Sequence, residues 1–190
     1  MSAPSLFPTF LKLAGRPVLV VGGGRMAAAK LASLAEAGAL VTVVAPDVRP
    51  EIEAANVTVR RRAFVTGDLD GAWFVVAAAT PEVNERVARA AEDRRVFVNA
   101  VDDPRRASAY AGGVVRRSGV TLAISTEGEA PALAGLLREA LDAVLPADLA
   151  TWVAEAHRLK TGWRRDRVPM TQRRPLLLEA LNQLYAPVPR

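Results

Sequence analysis

Residues 17–27 read Pro17-Val18-Leu19-Val20-Val21-Gly22-Gly23-Gly24-Arg25-Met26-Ala27. The run to Val21 is short, apolar and β-branched, as expected of a strand buried on both faces. Three glycines interrupt it. The alanine-rich stretch from Met26 to Glu36 then favours a helix, and Gly38 supplies a C-terminal stop. Gly22, Gly24 and Ala27 satisfy G-x-G-x-x-A between a strand and a helix. Glycines at those places allow a tight turn and close approach of backbone to ligand. The free N–H groups that open the helix would then face a pyrophosphate.

Reading outward, Leu40–Val44 predicts a second buried strand, ended by Pro46, and Val57–Val59 a weaker third, followed by Arg60-Arg61-Arg62. Trp73–Ala78 predicts a fourth. Thr80-Pro81-Glu82 has a capping hydroxyl, a proline at the first helical position and an acid in the first turn, so it opens a helix running to about Arg94. Val96–Val98 is a fifth strand. Strands alternating with helices predict an α/β fold, a Rossmann-type parallel sheet covered on both faces. Right-handed crossovers place the strand ends on one edge, made of Gly22–Gly24, Ala45-Pro46-Asp47, Ala79-Thr80 and Asn99–Asp103.

The pattern changes after Asp103. Tyr110–Val115 and Val120–Ser125 read as strands joined by Arg116-Arg117-Ser118-Gly119, with no helix between them, so they should pair antiparallel. Pro131 opens an amphipathic helix to about Leu145. Two more helices are expected, at about 147–160 and 171–185, linked by Gly162–Pro169. The expected organisation is a dinucleotide-binding domain over 1–108, a small β-strand dimerisation region over 109–146 and a helical C-terminal domain over 147–190.

Of the 190 residues, 51% are hydrophobic and 24% charged, enough to bury a core and too apolar for a disordered chain. No apolar run reaches the roughly 18 residues needed to span a bilayer, and residues 1–12 lack the pattern of a signal peptide. There is no cysteine, which excludes disulfides, a thiolate nucleophile and thiolate metal ligands, and fits a cytoplasmic location. The net charge of +5 favours anionic ligands. The arginines are spread from Arg16 to Arg190 rather than grouped, which argues against nucleic acid as the partner.

Two further stretches carry polar groups suited to chemistry. Val98-Asn99-Ala100-Val101-Asp102-Asp103-Pro104 places two acids after a strand, on the ligand edge. Asp103 directly precedes a proline and suits a cap, which leaves Asp102 as a general base. Ile124-Ser125-Thr126-Glu127-Gly128-Glu129-Ala130-Pro131 is a strand end, a polar turn and a helix start. Ser125 and Thr126 could hold a substrate carboxylate or simply cap the helix. The common fingerprint has an acid at the end of the second strand to bind the ribose. Here the acid is Asp47, slightly later, where it could bind ribose or cap a helix starting near Arg49. No arginine stands at the strand end itself, though Arg25 and Arg49 are nearby, so NAD is favoured over NADP.

In order along the chain, these stretches resemble the precorrin-2 dehydrogenases, the N-terminal family of siroheme synthases. The likeness rests on Phe7-Pro8-Thr9-Phe10-Leu11-Lys12-Leu13, Gly15–Gly24, Lys30, Glu36-Ala37-Gly38-Ala39 and Val41–Pro46. It continues through Ala78-Ala79-Thr80, Val83-Asn84, Asn99–Asp102, Ser108 and Ile124-Ser125-Thr126, covering about the first 145 residues. The resemblance implies NAD-dependent oxidation of precorrin-2 to sirohydrochlorin by a homodimer, with Asp102 as the catalytic aspartate. It also implies cofactor contacts at Arg25, Met26, Pro46 and Asp47, joining Gly22, Gly23 and Gly24 of the turn and Thr80 on the same edge, and a substrate contact at Thr126, beside the candidate Ser125. Asp102 would take the proton lost after hydride removal, or steady the cation.

A polycarboxylate substrate needs a positive cleft. Arg105 and Arg116 are the candidates, with Arg106 and Arg117 beside them; solvated surface is the plainer reading for some of the four. The family's neutral turn reads Thr126-Glu127-Gly128-Glu129-Ala130-Pro131 here, with two acids, and the aromatic after Ser108 is Tyr110. Some relatives also insert ferrous iron. The chain's one histidine, His157, lies in the helical tail, and the sequence contains no dedicated metal cage. The rival readings are another small-molecule NAD oxidoreductase on the same fold, and an NAD-sensing regulator that binds DNA through Trp163-Arg164-Arg165 and Arg173-Arg174.

Overall fold

A computed structural model describes residues 5–185. Its first unit comprises the chain up to Ala111 together with Ser125–Ala130; its second comprises Gly112–Ile124 and the chain from Pro131 onward.

The first unit is a five-stranded parallel sheet in the order β3-β2-β1-β4-β5. The strands are β1 (Pro17–Val21), β2 (Leu40–Ala45), β3 (Thr58–Arg61), β4 (Phe74–Ala77) and β5 (Phe97–Ala100). The helices are α1 (Arg25–Glu36), a single turn α2 (Pro50–Glu53) and α3 (Pro81–Asp93). This is the predicted α/β Rossmann-type architecture. The alternation of side chains along β1 shows why the sheet needs two covers. Val18 and Val20 pack with Ala27, Leu31, Leu34 and Ile52 on the α1–α2 side, whereas Leu19 and Val21 pack with Val87, Ala90 and Ala91 of α3 on the other. Neither face could meet water without exposing valine and leucine.

Beyond β3 the chain returns through an ion cluster centred on one buried carboxylate. The Asp68 side chain is 1% exposed; it accepts from Arg62 (2.7 Å), Arg60 (3.1 Å) and the Val65 N–H (3.0 Å). The Arg62 bond outweighs burial and holds the carboxyl down at about 2, against 3.8 for a free aspartate. A depressed carboxyl stabilises the fold above the unfolded value and loses that contribution as pH falls. Asp68→Asn is therefore expected to cost about 1–2 kcal/mol at pH 7, discounted because both arginines are half exposed. In urea denaturation, the difference from wild type should fade as pH drops from 3.8 towards 2.

In the second unit, β6 (Gly113–Arg117) and β7 (Val120–Ile124) pair antiparallel, with Arg117 opposite Val120. The predicted strand from Tyr110 begins three residues late, and Arg116-Arg117 belong to the strand rather than the turn. The turn needs only Ser118 and Gly119, both with positive φ (51° and 80°), the two-residue form whose twist suits a hairpin. Three helices follow: α4 (Pro131–Val144), α5 (Leu149–Arg165) and α6 (Met170–Gln183). α5 runs through Gly162, where a break was expected. A single glycine costs a helix only about 1 kcal/mol. Among the described residues no helix is long and apolar enough to cross a membrane. The last stretch of the chain, 186–190, lies outside the described residues.

Candidate functional site

The chain order turns back between β1 and β4, the crevice where ligands sit in sheets of this kind. Backbone bonds stitch the strand ends there. Gly22 N–H donates to Val44 O (3.0 Å), Ala78 N–H to Val21 O (2.8 Å) and Val101 N–H to Ala77 O (2.9 Å). The predicted edge residues from the glycine turn, the β2 end, the β4 end and the β5 end therefore form one rim.

The three glycines have different reasons to be glycine. Gly22 has φ +127°, and a Cβ there would overlap the Ala78 carbonyl. A Cβ on Gly23 would overlap the Asp47 carbonyl and lie 2.9 Å from the Val48 Cα. Both are excluded by the protein's own backbone. A Cβ on Gly24 would meet nothing within 4 Å, and its φ of −84° is open to any residue. Gly24 is the N-cap of α1, which has no side-chain cap and no acid in its first turn. Unclaimed N–H groups and a bare backbone facing open space suit a pyrophosphate. Gly24, Arg25 and Met26 are exposed there, as are Pro46, Asp47 and Thr80 around the same rim.

Asp47 does not cap α2. Arg49 is the N-cap, without a side-chain cap, and Pro50 fills the first helical position. Arg49 N–H donates to Gly23 O (2.9 Å), which ties this loop to the glycine turn. Thr80 is the N-cap of α3, as expected, but makes no side-chain cap; its hydroxyl turns to Glu82, whose own N–H and this hydroxyl hold the carboxyl below its usual range.

Sequence reasoning missed the group that shapes the β4 end. Asn84 is buried, and its Oδ1 accepts from Ala79 N–H (2.9 Å). The available signal was a polar residue on the apolar face of an amphipathic helix. Asn84→Ala should strand that N–H, costing about 1–3 kcal/mol in thermal unfolding, and loosen the loop that carries Thr80.

Asp102 and Asp103 differ in the way their positions suggested, though by another route. Asp103 precedes the turn at Pro104–Arg106 but makes no side-chain cap; its carboxylate pairs with Arg106, which also reaches Glu85 at 3.2 Å. Charge attraction to a nearby guanidinium replaces the expected cap. Asp102 is exposed, lacks a side-chain partner among the described residues, and has φ +59°. Aspartate enters this region more readily than most side chains, and Arg95, Ser118, Glu127 and Arg167 are left-handed too.

The loop around it is held firmly. Ser108 Oγ accepts from Val98 N–H (2.9 Å), and the buried Asn99 donates to Ala109 O (3.0 Å). The Tyr110 hydroxyl donates to Pro104 O (3.0 Å). Gly128 closes the arrangement. Its φ is +81°, and a Cβ there would lie 2.8 Å from Pro104 and 3.5 Å from the Tyr110 ring. The Ser125–Ala130 turn thus rests on the Asp102 loop, bringing together two motifs far apart in sequence. In this turn Ser125 Oγ accepts from Glu127 N–H (3.1 Å) and Thr126 O accepts from Glu129 N–H (2.9 Å). The Ser125 oxygen serves the turn rather than capping α4.

Arg105 is exposed beside the Asp102 loop, while Arg106 is engaged as above. Arg116 is exposed on β6, and Arg117 donates to Pro146 O (3.3 Å) and lies 3.8 Å from Asp142. These last two belong to the second unit. His157 is exposed on α5.

A doubly wound sheet with an uncapped glycine turn at its switch point defines a dinucleotide-binding domain. The chain belongs to the NAD_binding_7 family, described as "Putative NAD(P)-binding", matched over residues 9–113. It is similar to siroheme synthase 3 of Aeromonas hydrophila subsp. hydrophila, 45% identical over 158 residues, which is 80% of this chain and 34% of that protein. The siroheme synthase of Photorhabdus laumondii subsp. laumondii is 38% identical over 184 residues, 94% of this chain and 39% of that protein. The chain thus spans little more than a third of the length of these curated relatives. Among solved structures it resembles SirC, a precorrin-2 dehydrogenase, with TM-score 0.71 and 27% identity, covering 92% of this chain and 88% of that one.

Proposed function

We propose that this chain oxidises precorrin-2 to sirohydrochlorin with NAD as the oxidant, within siroheme synthesis. The observation that carries the reading is Asp102: exposed, without a side-chain partner among the described residues, and left-handed, on the same sheet edge as the open backbone of Gly24. The names of the similar siroheme synthases and of SirC support the substrate.

The backbone of Gly22–Gly24 with Arg25 and Met26 would hold the pyrophosphate, Pro46 and Asp47 the adenosine ribose, and Thr80 the nicotinamide half. Bound there, NAD supplies a hydride acceptor. The chain's own residues do the rest. Asp102 takes the proton lost from the carbon next to the oxidised centre, completing the double bond. Before that transfer its charge steadies the positive substrate. Arg105 offers a guanidinium partner to the carboxylates, and Ser125 and Thr126 offer hydroxyl donors. Purified protein given precorrin-2 and NAD should produce NADH and sirohydrochlorin absorbance in equal amounts. Turnover of simple hydroxy acids with no turnover of precorrin-2 would reject the reading.

The same reading includes a cytoplasmic homodimer. α4 turns Ala134, Arg138 and Asp142 towards β6, where Gly113 allows contact, while Leu133, Leu136, Leu137, Leu141 and Val144 stay exposed. A row of five large apolar side chains suits a second copy. Leu136→Asp should shift the protein to monomer in sedimentation and lower turnover, and a wild-type monomer would contradict this part.

A further inference from the structure

Among the described residues, the arginines flanking the carboxyl ends of β2 and β3 are matched to acids. Arg49 donates through Nε and Nη2 to the two oxygens of Glu51, at 3.1 and 2.9 Å. Arg60 and Arg62 share Asp68, and Arg61 pairs with Glu53. The strand register puts Arg60 and Arg61 beside Val44 and Ala45, the residues just before Pro46-Asp47. Arg49 is nearer still to the dinucleotide turn, because its N–H is bonded to Gly23 O.

A ribose 2′-phosphate is bound through an arginine free to meet it. Glu51 holds the Nε–Nη2 edge of Arg49 and offsets its charge, so a phosphate approaching from the Nη1 side would meet a guanidinium already neutralised by a neighbouring carboxylate. The acid next to the turn that enters no such pair among the described residues, Asp47, would repel the phosphate.

Resting on the dinucleotide reading above, we propose that Glu51 is a specificity-determining residue: by holding Arg49 in a fork-to-carboxylate pair beside the glycine turn, it keeps the site selective for NAD over NADP. Glu51 itself touches no cofactor. It acts by occupying the cation on the turn's own neighbouring loop that could serve a 2′-phosphate.

The test is calorimetric titration of the full-length protein with NAD+ and with NADP+, which requires no turnover. Wild type should prefer NAD+. In Glu51→Ala the ratio of the two dissociation constants should move about tenfold towards NADP+, and added salt should erode that gain. Adding Arg49→Ala to Glu51→Ala should abolish it. A ratio unchanged in Glu51→Ala, a gain that persists without Arg49, or a wild type that prefers NADP+ would each overturn the proposal while leaving the dinucleotide site intact. Failure of wild type to bind either nucleotide would overturn the site itself.

Discussion

On the role proposed for Asp102, its replacement by glycine should stabilise the protein slightly and slow its chemistry by orders of magnitude. With φ +59° the aspartate sits where a side chain costs energy and glycine does not. Relief of that cost should amount to about 0.5–1 kcal/mol in chemical denaturation, offset in part by the greater freedom of glycine in the unfolded chain. Loss of a general base typically removes about 100- to 10,000-fold of rate. Asp102→Asn is the closer control, because asparagine tolerates the left-handed region and keeps the shape. It should show the same loss in kcat with NAD affinity held. The carboxylate makes no side-chain bond among the described residues, so no structural partner is lost. If Asp102→Gly or Asp102→Asn turned over precorrin-2 at the wild-type rate, this residue would have no place in the mechanism.

The glycine turn gives the second large effect, and it divides by position. Gly22→Ala and Gly23→Ala place a methyl against the Ala78 and Asp47 carbonyls, and both loops are tied close to the turn, by Ala78 N–H to Val21 O and by Arg49 N–H to Gly23 O. Each should cost more than about 3 kcal/mol and yield little folded protein. Gly24→Ala meets open space at a permitted φ. Its stability cost should stay below about 1 kcal/mol, while NAD affinity drops by at least about tenfold because the methyl stands where the pyrophosphate must approach. The measurement is calorimetric affinity beside thermal unfolding for all three variants. A Gly24→Ala protein that binds NAD like wild type would show that nothing needs to approach that backbone.

Most of the sheet was legible because its signals are local. Val18–Val21, Val41–Val44 and Val75–Ala77 are apolar runs bounded by glycine or proline, and the helices between them begin and end at recognisable residues. Readings slipped where two local rules compete. Tyr110 favours a strand but Ala111-Gly112 does not, and with the Tyr110 hydroxyl bonded to Pro104 O the ladder starts only at Gly113. Asp103 has the sequence position of a cap, but a guanidinium three residues on attracts its carboxylate more strongly than a neutral N–H does.

What the amino-acid order determined by itself is the class of the fold and the place of the dinucleotide turn, because each depends on residues within a few positions of one another. Only tertiary structure decided why Gly24 differs from Gly22 and Gly23, and that the Ser125–Ala130 turn lies on the Asp102 loop. Those answers depend on Ala78, Asp47 and Gly128 meeting their partners across the fold, and steric overlap acts between atoms close in space, whatever their separation along the chain.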